Sequence, residues 1–516
     1  MGRRKYDRLN RGRIDLFCPK DASFEGMIMS KIKKTLLDTS LFRRAYMICL
    51  VCTNISLVLI PMYVLQVLMF VWGVFLVIYN EIKYRTIRRT RYGLWLVALV
   101  LATLIAGVIH ISCAVLPNLY NLVMVLNVAI CFFVYYSVHT EKELNFRREL
   151  YSFCKFMVYL TTVLGILGLA FLLADIRFEV FIFKFIIYEN RFDGMFVNPN
   201  VLGLLSVIAI FCCHMLLKKD FIAISGRERV SRIWIGSCVA VNAISLLLCD
   251  SNGALVLMIG YAIFFVIYKM FGSESKFSKK QIITKSASCL VAGAVIVTSL
   301  FFVRTMTQQG FQQLMNAMPP SHQLIDEDMM DQLIMDEAMI TFEHENTNVD
   351  SGRFTLWEQA VTMYAHHPVL GIGKGNIYYY GRELFENGVK FSEDYGDLGP
   401  FLTEFHNAYL TVLVSSGAVG FLFFVIFGVR FFTHITKHVF RDDSLKESIL
   451  PCMYAFLCSY VIYSFLEVGL LYNVTIAVFI FWMILGYTSC FLVKYEPDED
   501  FGTFRLFKRD LPKTLL

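Results

Sequence analysis

Long apolar runs separated by short polar ones fill the chain from residue 45 to residue 493. Most hold roughly 18 to 22 apolar residues, and a helix of that length crosses the hydrocarbon core of a bilayer. The run 45–80 is too long for one helix. Pro61 divides it into a tight hairpin, because an interior proline removes a helical hydrogen bond and crowds the preceding turn. The other runs are 92–113, 116–138, 150–173, 199–217, 233–249, 254–268, 286–303, 407–432, 448–466 and 471–493. The pattern predicts an all-α polytopic membrane protein of about twelve transmembrane helices with one large extracytoplasmic loop. It divides the chain into a basic N-terminal segment (1–44), nine helices (45–303), the loop (304–406), three helices (407–493) and a tail (494–516).

Composition agrees with a bilayer environment. The 516 residues are 57% hydrophobic and only 17% charged, with a mean hydropathy of +0.57, far from the average of a soluble domain. The opening stretch "MGRRKYDRLNRGRIDLF" is basic and lacks the apolar core and cleavage site of a removable signal peptide, so none is expected. Tyr6 stands where an N-myristoylation signal carries Ser or Thr, so that anchor is not expected either. The 14 cysteines lie almost entirely in apolar runs. Cys49 and Cys52 form a CxxC, but inside a span, where packing is the ordinary role of a thiol.

Charge sets the sidedness. Alternate loops are basic: Lys83, Arg85, Arg88, Arg89 and Arg91; Arg147 and Arg148; Lys218, Lys219, Arg227, Arg229 and Arg232; Lys276, Lys279, Lys280 and Lys285; Lys437, Arg441 and Lys446. With an even number of spans and a hairpin at Pro61 these all fall on the face that holds both termini, and the positive-inside rule makes that face cytoplasmic. The long loop, the segment 174–198 and the turn "DSNG" at 250–253 then lie outside. The long loop carries 16 acidic and 5 basic residues, which suits an exterior position and argues against nucleic acid as a partner. Within it, 323–345 has the apolar spacing of a helix lying on the membrane surface. Ser351 opens a second helix that Pro368 and the following glycines end.

Three exterior stretches hold candidate chemistry. In "RFDGMFVNPNVLG", Asn198 can cap the helix that begins at Pro199. Arg191 and that helix terminus together suit an anion, although an interfacial arginine can equally reach for lipid headgroups. In "SGRFTLWEQAVTMYAHHPVLGIGKGN", Arg353 opens a helix with Trp357 one turn on, which also reads as an aromatic membrane anchor. The glycines around Lys374 lack the Gly-Lys-Ser/Thr ending of a nucleotide loop and follow a helix rather than a strand. The doublet His366–His367 points in directions ~100° apart on a helix, so no metal site is expected. In "TEFHNAYLTVLVSSGAVGFLFF", His406 and Asn407 stand where the loop returns to the membrane, with Glu404 beside them. A histidine there suits general-base work. Glu467 is an ionisable group in an apolar run and needs a partner; His406 or one of the arginines fits.

In their order these stretches resemble the O-antigen ligase/polymerase superfamily, the Wzy-type polysaccharide polymerases and lipopolysaccharide ligases. The resemblance rests on Arg–x–x–Gly followed by Asn-Pro-Asn, on Arg–x–x–x–Trp running into Pro–x–x–Gly–x–Gly, and on His-Asn–x–Tyr-Leu with Gly–x–x–Gly. It covers 191–424 closely and the remainder by topology. One departure is visible: members often carry Ser-Arg at the outer turn where this chain has Ser251-Asn252. The resemblance implies a GT-C-like architecture and a metal-independent, inverting glycosyl transfer without a cofactor. The donor would be an oligosaccharide on undecaprenyl pyrophosphate, and the partners an acceptor glycan, the lipid bilayer and other polysaccharide-assembly proteins. It implies Arg191 and Arg353 as pyrophosphate ligands and His406 as the base. Lys374, Asn407, Asn200 and Trp357 are expected about the substrate, and Glu467, apart from the resemblance, as an orienting partner for His406. Polymerase and ligase share the donor; the Lys-, Ile- and Phe-rich composition favours a host without lipopolysaccharide, and so a polymerase. A transporter or flippase is the rival class. It would place charges at mid-membrane and pair its broken helices, whereas here the ionisable residues gather at the outer ends of spans.

Overall fold

The computed structural model describes residues 31–141, 144–174, 179–180, 183–184, 186–188, 191–225, 231–272, 277–317, 353–388, 404–441 and 445–495. The expected surface helix at 323–345 and the helix start at Ser351 lie outside these residues. Helices build almost all of the fold: α1 (Thr39–Cys52), α2 (Leu59–Tyr84), α3 (Gly93–Ile109), α4 (Val115–Ile130), α5 (Phe146–Leu173), α6 (Pro199–Leu216), α7 (Arg232–Leu248), α8 (Asn252–Phe271), α9 (Lys279–Asn316), α10 (Arg353–His366), α11 (Ile377–Glu386), α12 (Ala408–Arg441), α13 (Leu450–Tyr463) and α14 (Ile476–Tyr495). Among the described residues seven helices are long and apolar enough to cross a membrane. Four apolar ones, α3, α7, α13 and α14, are shorter. Helix α1 ends inside the first expected run.

Three local differences from the expectation have physical causes. The break in the first long run falls at 53–58, where α1 ends, and Pro61 sits in the first turn of α2; there the missing N–H has no helical partner to lose. Helix α9 continues 13 residues past 303 to Asn316, because "RTMTQQGFQQLMN" is polar but contains good helix formers. The segment before α6 is not helical: β1 (Ile186–Tyr188) pairs antiparallel with β2 (Arg191–Gly194). Backbone bonds from Ser56 to Met195 and from Val197 to Asn54 tie this segment to the turn after α1.

Helices α6, α13 and α14 form the centre. Phe211 stacks on Phe456 at 4.2 Å, and Trp482 packs on Phe132 at 4.6 Å. By contrast α2 and α9 expose long apolar faces such as Val64, Val67, Val71, Leu290 and Val291, as helices facing lipid do. At the end away from the candidate residues, the fully buried Arg43 donates to Glu149 at 2.8 Å and to Glu141 at 2.5 Å. Tyr487 and Ser40 also donate to Glu149, at 2.6 and 2.7 Å. This network joins α1, α5 and α14, and losing one member would leave its partner's charge buried.

Helix α12 is broken at Gly417, whose φ of 64° and ψ of −173° are not helical. The glycine loop after α10 fills the break. Ile372 N–H donates to Val414 O and Gly373 N–H to Ser415 O, both at 2.9 Å. In return Ala418 N–H donates to Pro368 O at 2.8 Å and Val419 N–H to Val369 O at 3.1 Å. In a bilayer every such freed backbone group needs a partner within the protein. The approach is so close that a Cβ on Gly417 would lie 2.3 Å from Val369 O, and one on Gly371 2.5 Å from Val414 O. Gly417→Ala therefore combines a steric clash with backbone strain of about 1–3 kcal/mol. The expected outcome is a lowered melting temperature in detergent and faster proteolysis around 368–375; unchanged values for both would contradict the interlock.

Candidate active site

The site grows from four helix ends brought to one end of the bundle. Asn198 caps α6, its side-chain oxygen accepting from Val201 N–H at 2.9 Å, with Pro199 in the first turn. That cap fixes Asn200, and Asn200 Oδ1 accepts from Arg191 Nη2 at 2.8 Å. Arg191 Nε donates to the carbonyl of Cys249 at 3.1 Å. The guanidinium is thus held against the turn 249–253 that joins α7 to α8. Ser251 caps α8 there, and Asp250 adopts φ 55°.

A second arginine reaches the same turn. Arg304, on the extension of α9, pairs with Asp250 and approaches Asn252 Oδ1 at 3.4 Å. The sequence reading ended the helix at 303 and passed over this residue. The available signal was an arginine one position beyond an apolar run, where lipid-facing helices often turn a charge toward a partner. A guanidinium thus reaches Asn252 from the next helix.

The third side of the turn holds a triad. Arg353 Nη2 donates to Glu467 Oε1 at 3.2 Å, and Nε to the Leu466 carbonyl at 3.3 Å. His406 Nδ1 lies 3.2 Å from Glu467 Oε2. Gly253 is against the same carboxylate, since a Cβ there would be 3.5 Å from Glu467 Oε1. One glutamate therefore joins the expected base to one of the expected anion ligands. Its place depends on local unwinding: α13 stops at Tyr463, and 464–475 carries no regular helix. Ala408 N–H donates to Ser464 O at 2.9 Å, holding the start of α12 against this loop.

Asn407 does its visible work locally. Its side-chain oxygen accepts from Tyr409 and Leu410 N–H at 3.0 and 3.1 Å, capping α12 and holding His406 at φ 44°. Trp357 is half-buried one turn past Arg353, its ring edge-on to Phe354 at 5.4 Å. Lys374 is only 3% exposed, and it lies in the buried glycine loop rather than with the arginines. Burial pushes its ammonium down to about 8, opposed by the Glu404 carboxylate. The loop is a buried wedge in α12, because the break at Gly417 leaves backbone groups that it must satisfy. His366 and His367 diverge as expected. His366 Nδ1 approaches Thr362 O at 2.9 Å, while the His367 ring packs on His110 at 4.3 Å. Among the described residues no group of three or more His, Cys, Asp or Glu could hold a metal ion.

Residues 237–425 match the family model described as O-antigen ligase. That segment, less than half of the chain, is similar to the O-antigen ligase family. No curated protein matches it. The O-antigen ligase segment contains the turn 249–253, Arg304, Arg353, the glycine loop, His406 and Gly417. Arg191 and Glu467 lie outside the segment and are brought to it by the fold.

The electrostatics of the candidate site centre on Glu467. A carboxylate accepts only, so the neutral imidazole bonded to it carries its hydrogen on Nδ1 and its lone pair on Nε2. That bond raises the His406 pKa above its ordinary value. Burial opposes the rise, the Glu467 and Glu404 charges add to it, and Arg353 lowers it. A raised pKa makes His406 the stronger base but confines its neutral form to higher pH. As pH falls through this raised value the imidazole charges, and Glu467→Gln delays that event to lower pH. An NMR titration of the His406 ring should show the midpoint moving down in Glu467→Gln; a midpoint unmoved or raised would contradict the assignment.

Proposed function

We propose that the protein transfers a glycan from an undecaprenyl-pyrophosphate carrier to a hydroxyl of an acceptor sugar at the outer face of the bacterial cytoplasmic membrane, polymerising the repeat units of a surface polysaccharide. The observation that carries this reading is the Arg353–Glu467–His406 triad, set against the turn that also holds Arg191. A base and a cluster of cations at one membrane-end site suit the departure of a pyrophosphate.

In the reaction the acceptor oxygen bonds to the anomeric carbon while the bond from that carbon to the pyrophosphate oxygen breaks. The electron pair leaves with the lipid pyrophosphate, and the hydroxyl proton passes to His406 Nε2. Direct displacement inverts the anomeric centre. Arg353 and Arg191 meet the charge that develops on the leaving group, Arg304 adds to the same positive field, and Asn200 aims Arg191. Glu467 holds the imidazole in the tautomer that accepts a proton. Proton removal by a placed base contributes about 10²–10⁴ in rate. The rival transporter reading gains little from the broken helix α12, because the chain's own glycine loop fills that break.

His406→Ala and Arg353→Ala, made separately, should each lower polymer formation about 10²-fold or more, as seen on a gel of the host's surface polysaccharide at equal protein levels. Single repeats accumulating on the carrier support polymerisation. Full-length polymer left on the carrier indicates transfer to a terminal acceptor instead, and unaltered polymer in both variants overturns the catalytic reading.

A further inference from the structure

Two sets of contacts start from carboxylates on either side of His406 in the chain. The first runs through Glu467 to Arg353 and Gly253. The second starts two residues before His406, at Glu404. Glu404 Oε1 accepts from Asn473 Nδ2 at 2.7 Å, and the Asn473 carbonyl accepts from Asn127 Nδ2 at 3.1 Å. The Glu404 charge is felt by Lys374 and Tyr120 as well as by His406. Next to Tyr120, Asn121 Oδ1 accepts from Gly375 N–H at 2.7 Å. Asn376 Nδ2 donates to the carbonyls of Ile372 and His110 at 2.7 and 2.9 Å.

The chemistry of the two sets differs. The first offers guanidinium groups, which match a pyrophosphate. The second offers a carboxylate, an ammonium and side-chain amides from four separate segments. Asn121, Asn127 and Asn376 are all at least nine-tenths buried. In each, one amide atom has no hydrogen-bond partner among the described residues: Nδ2 of Asn121, Oδ1 of Asn127 and Oδ1 of Asn376. Buried amides of this kind are costly unless something pairs with them. Glu404, half-buried in front of these amides, is the group a sugar can reach, because each hydroxyl donates once and accepts twice, while a carboxylate only accepts.

We propose that Glu404, steadied by Asn473 and flanked by the asparagines of α4 and the glycine loop, binds the acceptor sugar and presents its hydroxyl to His406. This rests on the glycosyl-transfer reading above and adds to it a division of the site. The donor pyrophosphate lies toward the arginines, and the acceptor lies toward Glu404. The division also sets specificity. A carboxylate beside the reacting hydroxyl disfavours acceptors with an acidic substituent there, and favours neutral or amino sugars.

The test uses the full-length protein, the host's own lipid-linked repeat as donor and the same repeat freed from its lipid as acceptor. Glu404→Gln and Asn473→Ala should each raise the acceptor KM about tenfold, the loss of roughly one good hydrogen bond, with the donor KM unchanged. Glu404→Asp should recover part of the loss. An unchanged acceptor KM in both variants overturns the proposal, and so does a Glu404→Gln variant that shifts only the acid limb of the pH profile, which would mean that Glu404 acts through the His406 charge alone. Should Glu404→Gln fail to fold, Asn473→Ala makes the same comparison. A wild-type protein that transfers no glycan would instead overturn the parent reading.

Discussion

Four backbone hydrogen bonds between the glycine loop and the broken helix α12 hold the site together. Without them α12 would have unpaired carbonyl and N–H groups at membrane depth, which no surrounding lipid could satisfy. With them, α10 and α12 become parts of one body. Arg353 begins the first of these helices and His406 lies two residues before the second, so the interlock at Gly417 sets how these two ends stand toward each other. The glycines are required there because backbone meets backbone: at Gly371 and Gly417 there is no room for a Cβ.

The site is assembled around one turn rather than within one helix. Cys249 gives its carbonyl to Arg191, Asp250 and Asn252 receive Arg304, and Gly253 lies against Glu467. A short polar turn can gather side chains from distant parts of the chain because it offers carbonyls, a helix terminus and a carboxylate in five residues. The family match therefore covers only part of the machinery, since Arg191 and Glu467 approach this turn from outside the matched segment.

Much of this was legible in the sequence where the signals are local. Apolar length placed the helices, Asn198-Pro199 marked the start of α6, and the order of the three polar stretches pointed to Arg191, Arg353 and His406. What was hidden was non-local. No periodicity in "HHPVLGIGKGN" says that it pairs with "VSSGAV", although a glycine after two serines within an apolar run hints at a break. The extension of α9 was hidden because polarity ended the hydropathy signal before the helix itself ended, and Arg304 went with it. The burial of Lys374 was hidden because the stretch around it is polar and rich in glycine. The same glycines permit the close packing that buries it.

The shared carboxylate couples two events. Before transfer, Glu467 balances one fixed cation, Arg353. When His406 takes the acceptor proton in the proposed reaction, the same single negative charge must answer two cations. Its hold on Arg353 weakens at the moment when the departing pyrophosphate acquires electrons and draws on that guanidinium. The timing of positive charge at one end of the site would then be set by a proton arriving at the other, with no moving segment between them.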